Sequence, residues 1–279
     1  MASGTVAVEQ TGGARHTLSR ALFALLWFPS GILLAFILLP MIQMAAAQSW
    51  ETLSTVAVMG DVQASLWLSL ECAAITATVG ALLGTPLAYL LSRRTGGRLK
   101  RLVEALIDLP LAVPHTVAGI ALLFVLGRQG LIGAAAEPFG IQFWGSEMGI
   151  ISAMMFVSVP FMVDSARLGF ESVDPRLEKV ARTLGATPIE VLWRVNLPLA
   201  RRGIWTGVVL AYARSISEIG SVMVLAYYPM TAPVKIYDLY LQSGLRESSA
   251  VAVLLLVVSL STFLVMRFMA DRAWGLGRP

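Results

Sequence analysis

Arg214 and Glu218 stand one helical turn apart inside an otherwise apolar run, GVVLAYARSISEIGSVMVLAYY. A guanidinium and a carboxylate at this spacing neutralise each other along a helix, which lowers the cost of holding both among hydrocarbon. Ser215, Ser217 and Ser221 add hydroxyls beside them, and Gly220 keeps the surface small. Such a surface either packs helices closely or offers hydrogen bonds to an oxyanion. Two readings stand: an ion pair that holds helices together, and an anion path or its gate. A second constellation lies in LIDLPLAVPHTVAGIALL, where Pro110 and Pro114 are four residues apart. Both are expected to kink one helix on the same face and to free backbone carbonyls. Loosened backbone at membrane depth is tolerated where it lines a cavity or packs on protein. His115, Thr116 and Gly119 follow at once, so lining a pathway competes with packing in a bundle. Glu71 and the pair Asp164/Arg167 read as structural or interfacial.

Much chemistry is excluded. Cys72 is the only cysteine, and His16 and His115 are the only histidines, so neither a disulfide framework nor a Cys or His metal set can form. The chain has no Gly-Lys dipeptide and hence no Walker A loop, no dinucleotide fingerprint, no HExxH and no nucleophile elbow. No constellation for an intramembrane enzyme is present. If the protein works on ATP, the nucleotide chemistry belongs to another subunit.

The elements that must position these residues are membrane spans. The chain has 279 residues, 57% apolar and 14% charged, and its mean hydropathy is +0.74; those values define an integral membrane protein with no room for a large soluble domain. Crossing a bilayer core takes roughly 20 residues, and six stretches qualify: 22–44, 64–91, 103–126, 148–170, 203–226 and 249–268. Seventeen of the 21 Lys and Arg fall in the N-terminus, the 92–102 loop, the Arg167–Arg202 region and the C-terminus. Only Arg128, Lys235 and Arg246 fall in the alternate loops, which predicts an all-α protein of six spans with both termini inside. The net charge of +4 is explained by that placement rather than by nucleic-acid binding. Residues 1–20 are expected to be a flexible cytoplasmic segment, 21–270 the membrane domain and 271–279 a cytoplasmic tail. The first apolar run exceeds the ~7–15 residues of a signal-peptide core, which favours an uncleaved first span. The outward loops 127–147 and 227–247, rich in Gly, aromatics and Pro, either carry short surface helices that meet an external partner or are simple connectors.

The longest polar interruption, 171–202, reads ESVDPRLEKVARTLGATPIEVLWRVNLPLARR. Asp174 caps a helix with Pro175 at its first position, and Gly185 stops it. Thr187, Pro188 and Glu190 start a second helix with a capping box, and Pro198 is expected to end it. Leu177, Val180, Ala181 and Leu184 share one face of the first helix, so the unit needs a partner to cover it.

Gly185, nine residues, then Val195-Asn196-Leu197-Pro198 resembles the "EAA" loop of ATP-binding-cassette importer permeases. The Glu-Ala-Ala position reads Lys179-Val180-Ala181, with Glu178 one place early, and Val195 replaces the usual Ile. The resemblance implies a coupling helix that docks on a separate ATPase through Leu177, Glu178, Lys179, Val180, Ala181, Leu184, Gly185, Ala186, Leu197 and Pro198. It extends over roughly 20–270. There LIDLPLAVPHTVAGIALL and YARSISEIGSVMVLAYYPMTAPVKIYDLYLQSGL resemble the molybdate/tungstate branch, with sulfate/thiosulfate permeases sharing much of the pattern. What this implies is a type I importer fold in the cell membrane. A homodimer of six-span permeases would sit on two ATPase subunits that carry ATP and Mg, fed by an extracytoplasmic oxyanion-binding protein. The pathway or gate would then involve Pro110, Pro114, His115, Thr116, Arg214, Ser215, Ser217 and Glu218. An ion-coupled secondary transporter is the rival class, but it has no need of a capped, apolar-faced helix pair in a loop.

Overall fold

The structure, a computed structural model, describes residues 10–93 and 96–274. Residues 1–9 of the expected flexible segment 1–20, residues 94–95 and the end of the tail lie outside those residues, whereas residues 10–20 of that segment are helical rather than flexible, being part of the first helix. Among the described residues all regular structure is helical. The first helix, α1 (Gln10–Ala46), starts well before the expected 22 and continues through Pro29 and Pro40. It falls in a compact unit of its own, residues 1–50, and exposes Leu25, Trp27, Phe28 and Phe36.

The second unit, residues 51–279, holds the rest. It runs α2 (Trp50–Ala57), α3 (Gly60–Arg93), α4 (Arg98–Ala112), α5 (His115–Leu126), α6 (Leu131–Ala136) and α7 (Glu147–Glu171). Then come α8 (Pro175–Thr183), α9 (Pro188–Val191), a π turn (Leu192–Asn196) and α10 (Leu197–Ile216). It closes with α11 (Gly220–Leu225), α12 (Ala232–Ser243) and α13 (Leu245–Trp274). Short helices α6 and α12 occupy the loops 127–147 and 227–247, for which short helices and simple connectors are the two readings.

Among the described residues, five stretches are long and apolar enough to cross a membrane: Leu25–Ala46, Gly60–Arg93, His115–Phe139, Glu147–Glu171 and Leu245–Ala270. The expected span at 203–226 is not one helix. Ser217–Ile219 separates α10 from α11, and Arg201, Arg202 and Arg214 dilute the apolar run of α10. The expected span at 103–126 is also divided, so the two prolines do not kink a single helix. Pro114 drives the preceding Val113 to φ −87°, ψ 130°, ending α4, and is itself the N-cap of α5. That is the steric effect of proline on its predecessor. Pro198 likewise does not end a helix. The chain passes from α9 through the π turn into α10, whose first turn contains Pro198. A proline costs a helix least in that first turn, and the π turn before it carries the chain over from α9.

The core forms where α3, α7 and α10 meet, around Ala73, Ala77, Met162, Ala166, Phe170 and Tyr212. Small residues let these helices approach as membrane helices do. A Cβ on Gly203 would lie 2.5 Å from the Cα of Gly169, and one on Gly207 would lie 2.8 Å from the Met162 carbonyl oxygen. The α7 and α10 backbones therefore touch. A second cluster gathers Cys72, Ile150, Met154, Val222 and Leu225, so the lone thiol serves packing.

Candidate functional site

The break between α10 and α11 assembles the first cluster. Glu218 is 1% exposed, yet Arg214 and Ser221 donate three hydrogen bonds to its carboxylate and the His115 ring stands beside it. Arg214 Nη2 approaches Oε2 at 2.8 Å and His115 Nδ1 at 3.1 Å. On the other oxygen, Ser221 donates through its N–H at 2.9 Å and its hydroxyl at 2.8 Å. An ion removed from water costs several kcal/mol unless partners of this kind replace its hydration. Arg214 also donates to Ser217 Oγ at 3.3 Å and stands 3.0 Å from the His115 ring nitrogens. Whichever ring nitrogen lacks the proton can accept from Arg214.

Glycines bring the elements this close. A Cβ on Gly220 would fall 2.6 Å from the His115 Cβ, and one on Gly119 2.9 Å from the Ser221 backbone. Thus α5 and α11 cross backbone to backbone, and His115 on α5 is delivered to Arg214 on α10 and Glu218 in the break after it. Of the residues expected to line a pathway, Arg214, Ser217, Glu218 and His115 come together. His115 and Ser217 are exposed, whereas Ser215 is fully buried with its hydroxyl unpaired among the described residues. Thr116 and Pro114 are exposed on α5's first turn, and Pro110 lies on α4, apart from the cluster, beside an apolar groove of about 440 Å³ against α7.

The second site is the loop after α7. Asp174 accepts the Arg176 N–H at 2.8 Å as N-cap of α8. Gly185 has φ +91°. Its N–H reaches Arg182 O and the Ala186 N–H reaches Ala181 O, both at 3.0 Å, the paired bonds of a Schellman ending. Thr187 and Glu190 form the full capping box that starts α9. The Thr187 N–H and hydroxyl hold the Glu190 carboxyl below its ordinary range. Outward from this pair point Leu177, Val180, Leu184 and Ile189, all exposed, Leu184 at 83%. Lys179 is exposed, Ala181, Ala186 and Leu197 half-buried, and Pro198 exposed.

Glu178 departs from that face. It is the buried residue of α8 and pairs with Arg93 Nε at 2.5 Å. Arg93 also donates to the Phe170 carbonyl at 3.0 Å and to Asn196 Oδ1 at 2.9 Å, and lies over the Tyr89 ring. Asn196 is fully buried, with its Nδ2 unpaired among the described residues. From sequence, Arg93 is one more cation of the 92–102 loop. The available signal was a long polar residue still within helical register at the end of an apolar run. Nearby, Arg167 binds Glu104 at 2.6 Å and Asp164 at 3.2 Å. This braces α4 on α7 and agrees with the structural reading of the Asp164/Arg167 pair.

This fold and loop define a membrane permease subunit, and comparison with known proteins makes the class explicit. Residues 80–274 match the model of the binding-protein-dependent transport system inner membrane component family, and the chain belongs to that family. The molybdate/tungstate transport system permease of Pyrococcus abyssi is 39% identical over 94% of this chain and 99% of its own. The molybdenum transport system permease of Mycobacterium tuberculosis is 38% identical, over 84% of this chain and 88% of its own. In fold the chain is similar to a bacterial ABC transporter involved in import of the acidic polysaccharide alginate. The TM-score is 0.72 at 20% identity, covering 92% of this chain and 98% of that one.

Proposed function

We propose that this chain is the permease of an ATP-driven importer of molybdate and tungstate. It acts as a homodimer, with both termini inside, on two ATP-binding cassette subunits that bind ATP and Mg and carry out hydrolysis. An extracytoplasmic oxyanion-binding protein delivers the anion. The observation that carries the reading is the α8–α9 pair, with α8 capped at both ends, α9 capped at its start, and Leu177, Val180, Leu184 and Ile189 exposed on an otherwise polar loop. That is a docking helix face awaiting an apolar groove. The substrate follows from the relatives' names. The pathway passes the Arg214–Glu218–His115 cluster, where an ionisable group at a helix break marks a route for ions. The cluster's Arg and Glu cancel in charge, so an oxyanion gains the guanidinium only by competing with Glu218.

The test is uptake of labelled molybdate or tungstate into vesicles that hold this chain with its ATPase and binding protein. ATP-dependent uptake suppressed by tungstate but not by sulfate is the expected result. Uptake suppressed by sulfate would reassign the substrate to the sulfate/thiosulfate branch. Uptake driven by an ion gradient without ATP would overturn the importer reading.

A further inference from the structure

The face of α8 that would meet an ATPase is exposed, and Glu178 is the residue of this helix that is buried. Both connections of α8 are short, Ser172–Asp174 on one side and Leu184–Thr187 on the other, with Gly185 at φ +91° in the second. A push on α8 therefore has one buried side-chain route into the rest of the chain. That route ends on Arg93, the last residue of α3.

The guanidinium spreads the load. Its Nη1 holds the last turn of α7 through the Phe170 carbonyl, and its Nη2 holds the π turn through Asn196. Tyr89, one turn back on α3, backs the guanidinium and stacks edge-on against Phe170 with ring centroids 5.4 Å apart. The anchors are thus the ends of the three helices that form the core. A planar guanidinium fixes its nitrogens relative to one another, so the ion pair to Glu178 and the bonds to Phe170 and Asn196 hold one another in register, whereas an ammonium on a flexible stem does not impose that geometry. Asn196 leaves its own Nδ2 unpaired among the described residues while presenting Oδ1 to Arg93, a cost that makes sense if holding Arg93 is what the π turn is for.

We infer that Arg93 is the strut that converts displacement of α8 into joint displacement of α3, α7 and α10. It is a positioning residue for coupling, not a contact for the anion or for nucleotide. The inference rests on the reading of this chain as an ATP-driven permease, and the experiment separates the two.

The complete transporter, reconstituted with its ATPase and binding protein, is assayed for molybdate taken up per ATP hydrolysed. Variants are Arg93→Gln, Arg93→Lys, Glu178→Gln and the double Arg93→Gln/Glu178→Gln. A coupling link of ordinary strength predicts that uptake per ATP falls about fivefold or more in Arg93→Gln and Glu178→Gln. The double variant should be no worse than Arg93→Gln alone, because both changes cut one link. Arg93→Lys, which keeps the charge but not the fork, should fall between wild type and Arg93→Gln. A purely structural role lowers thermal stability and yield but leaves uptake per ATP unchanged in the molecules that remain. Glu178→Gln leaves the Arg93 bonds to Phe170 and Asn196 in place, so it decides the matter even where Arg93→Gln does not assemble. An unchanged ratio in Glu178→Gln, or independent losses that multiply in the double variant, would overturn the strut. Wild-type uptake that ignores ATP would instead overturn the importer reading beneath it.

Discussion

Gly185 offers a graded test of the docking helix. Its φ of +91° is left-handed backbone, yet a Cβ placed there meets nothing within 4 Å. Substitution therefore costs backbone strain and no steric clash, and the cost can be ranked by residue type. Asn tolerates this region and loses a few tenths of a kcal/mol. Ala costs about 1 kcal/mol, near the low end for an L residue in left-handed backbone, and Val about 2–3 kcal/mol. Relief comes by unwinding the Schellman turn, which releases the Gly185 and Ala186 bonds and swings Leu184, at 83% exposure, away from its docking position. If only the wound turn docks, a strain of about 2 kcal/mol weakens ATPase binding by roughly 30-fold, and one of about 1 kcal/mol by roughly fivefold. The assay is titration of ATPase subunits onto the permease in lipid discs, with ATP-dependent uptake measured in parallel. The expected order of affinity is Gly, Asn, Ala, Val. Equal affinity across the series would refute the reasoning, and so would loss of uptake at Val with wild-type binding.

Three further outcomes follow from the described contacts. Arg214→Gln removes the cation from a site where Glu218 is 1% exposed, and uptake should fall while the affinity for the ATPase stays put; wild-type uptake in the folded variant would make Arg214 merely structural. Gly220→Ala drives a methyl to 2.6 Å from the His115 Cβ, an overpacking cost of about 1–3 kcal/mol. Thermal unfolding in detergent should show the loss, and an unshifted midpoint would show that α5 can retreat from α11. The Tyr227 phenol donates to Asp238 at 2.8 Å, a bond that pushes it up to about 12. Because the folded value is raised, its stabilising effect is complete below the ordinary tyrosine range near 10 and is lost as pH rises through about 12. Phenolate absorbance should lose its highest-pH step in Tyr227→Phe, and persistence of that step would assign it to another tyrosine.

What the sequence made legible was local. Asp174, Gly185, Thr187 and Glu190 act within four residues of themselves, and each forms the cap its type implies. The apolar face of α8 was equally plain, because helical spacing alone creates it. Readings failed where local rules met register or tertiary contact. Pro198 looked like a terminator, yet it falls in the first turn of α10, where a proline costs least, with the π turn leading into it. Pro110 and Pro114 looked like two kinks in one helix, but the second splits the segment outright. The Arg214–Glu218 pairing was visible, whereas the arrival of His115 depends on two glycine crossings between segments about a hundred residues apart. Arg93 was the least legible of all. Its partners Phe170 and Asn196 lie 77 and 103 residues away, and a cation beside an apolar run is ordinarily no more than a mark of sidedness.

The backbone contact between α7 and α10 also bears on how the protein is made. The arms of this helical hairpin, α7 and α10, are joined through the short helices α8 and α9 and meet at Gly169 and Gly203, and nothing later in the chain is needed for them to meet. During synthesis this hairpin can assemble while α12 and α13 are still unmade, and the later helices then dock on a finished scaffold. A larger residue at Gly169 or Gly203 would separate the arms before that scaffold exists. Cells carrying such a change should contain little of the protein at all, because the quality-control proteases of the membrane would remove it.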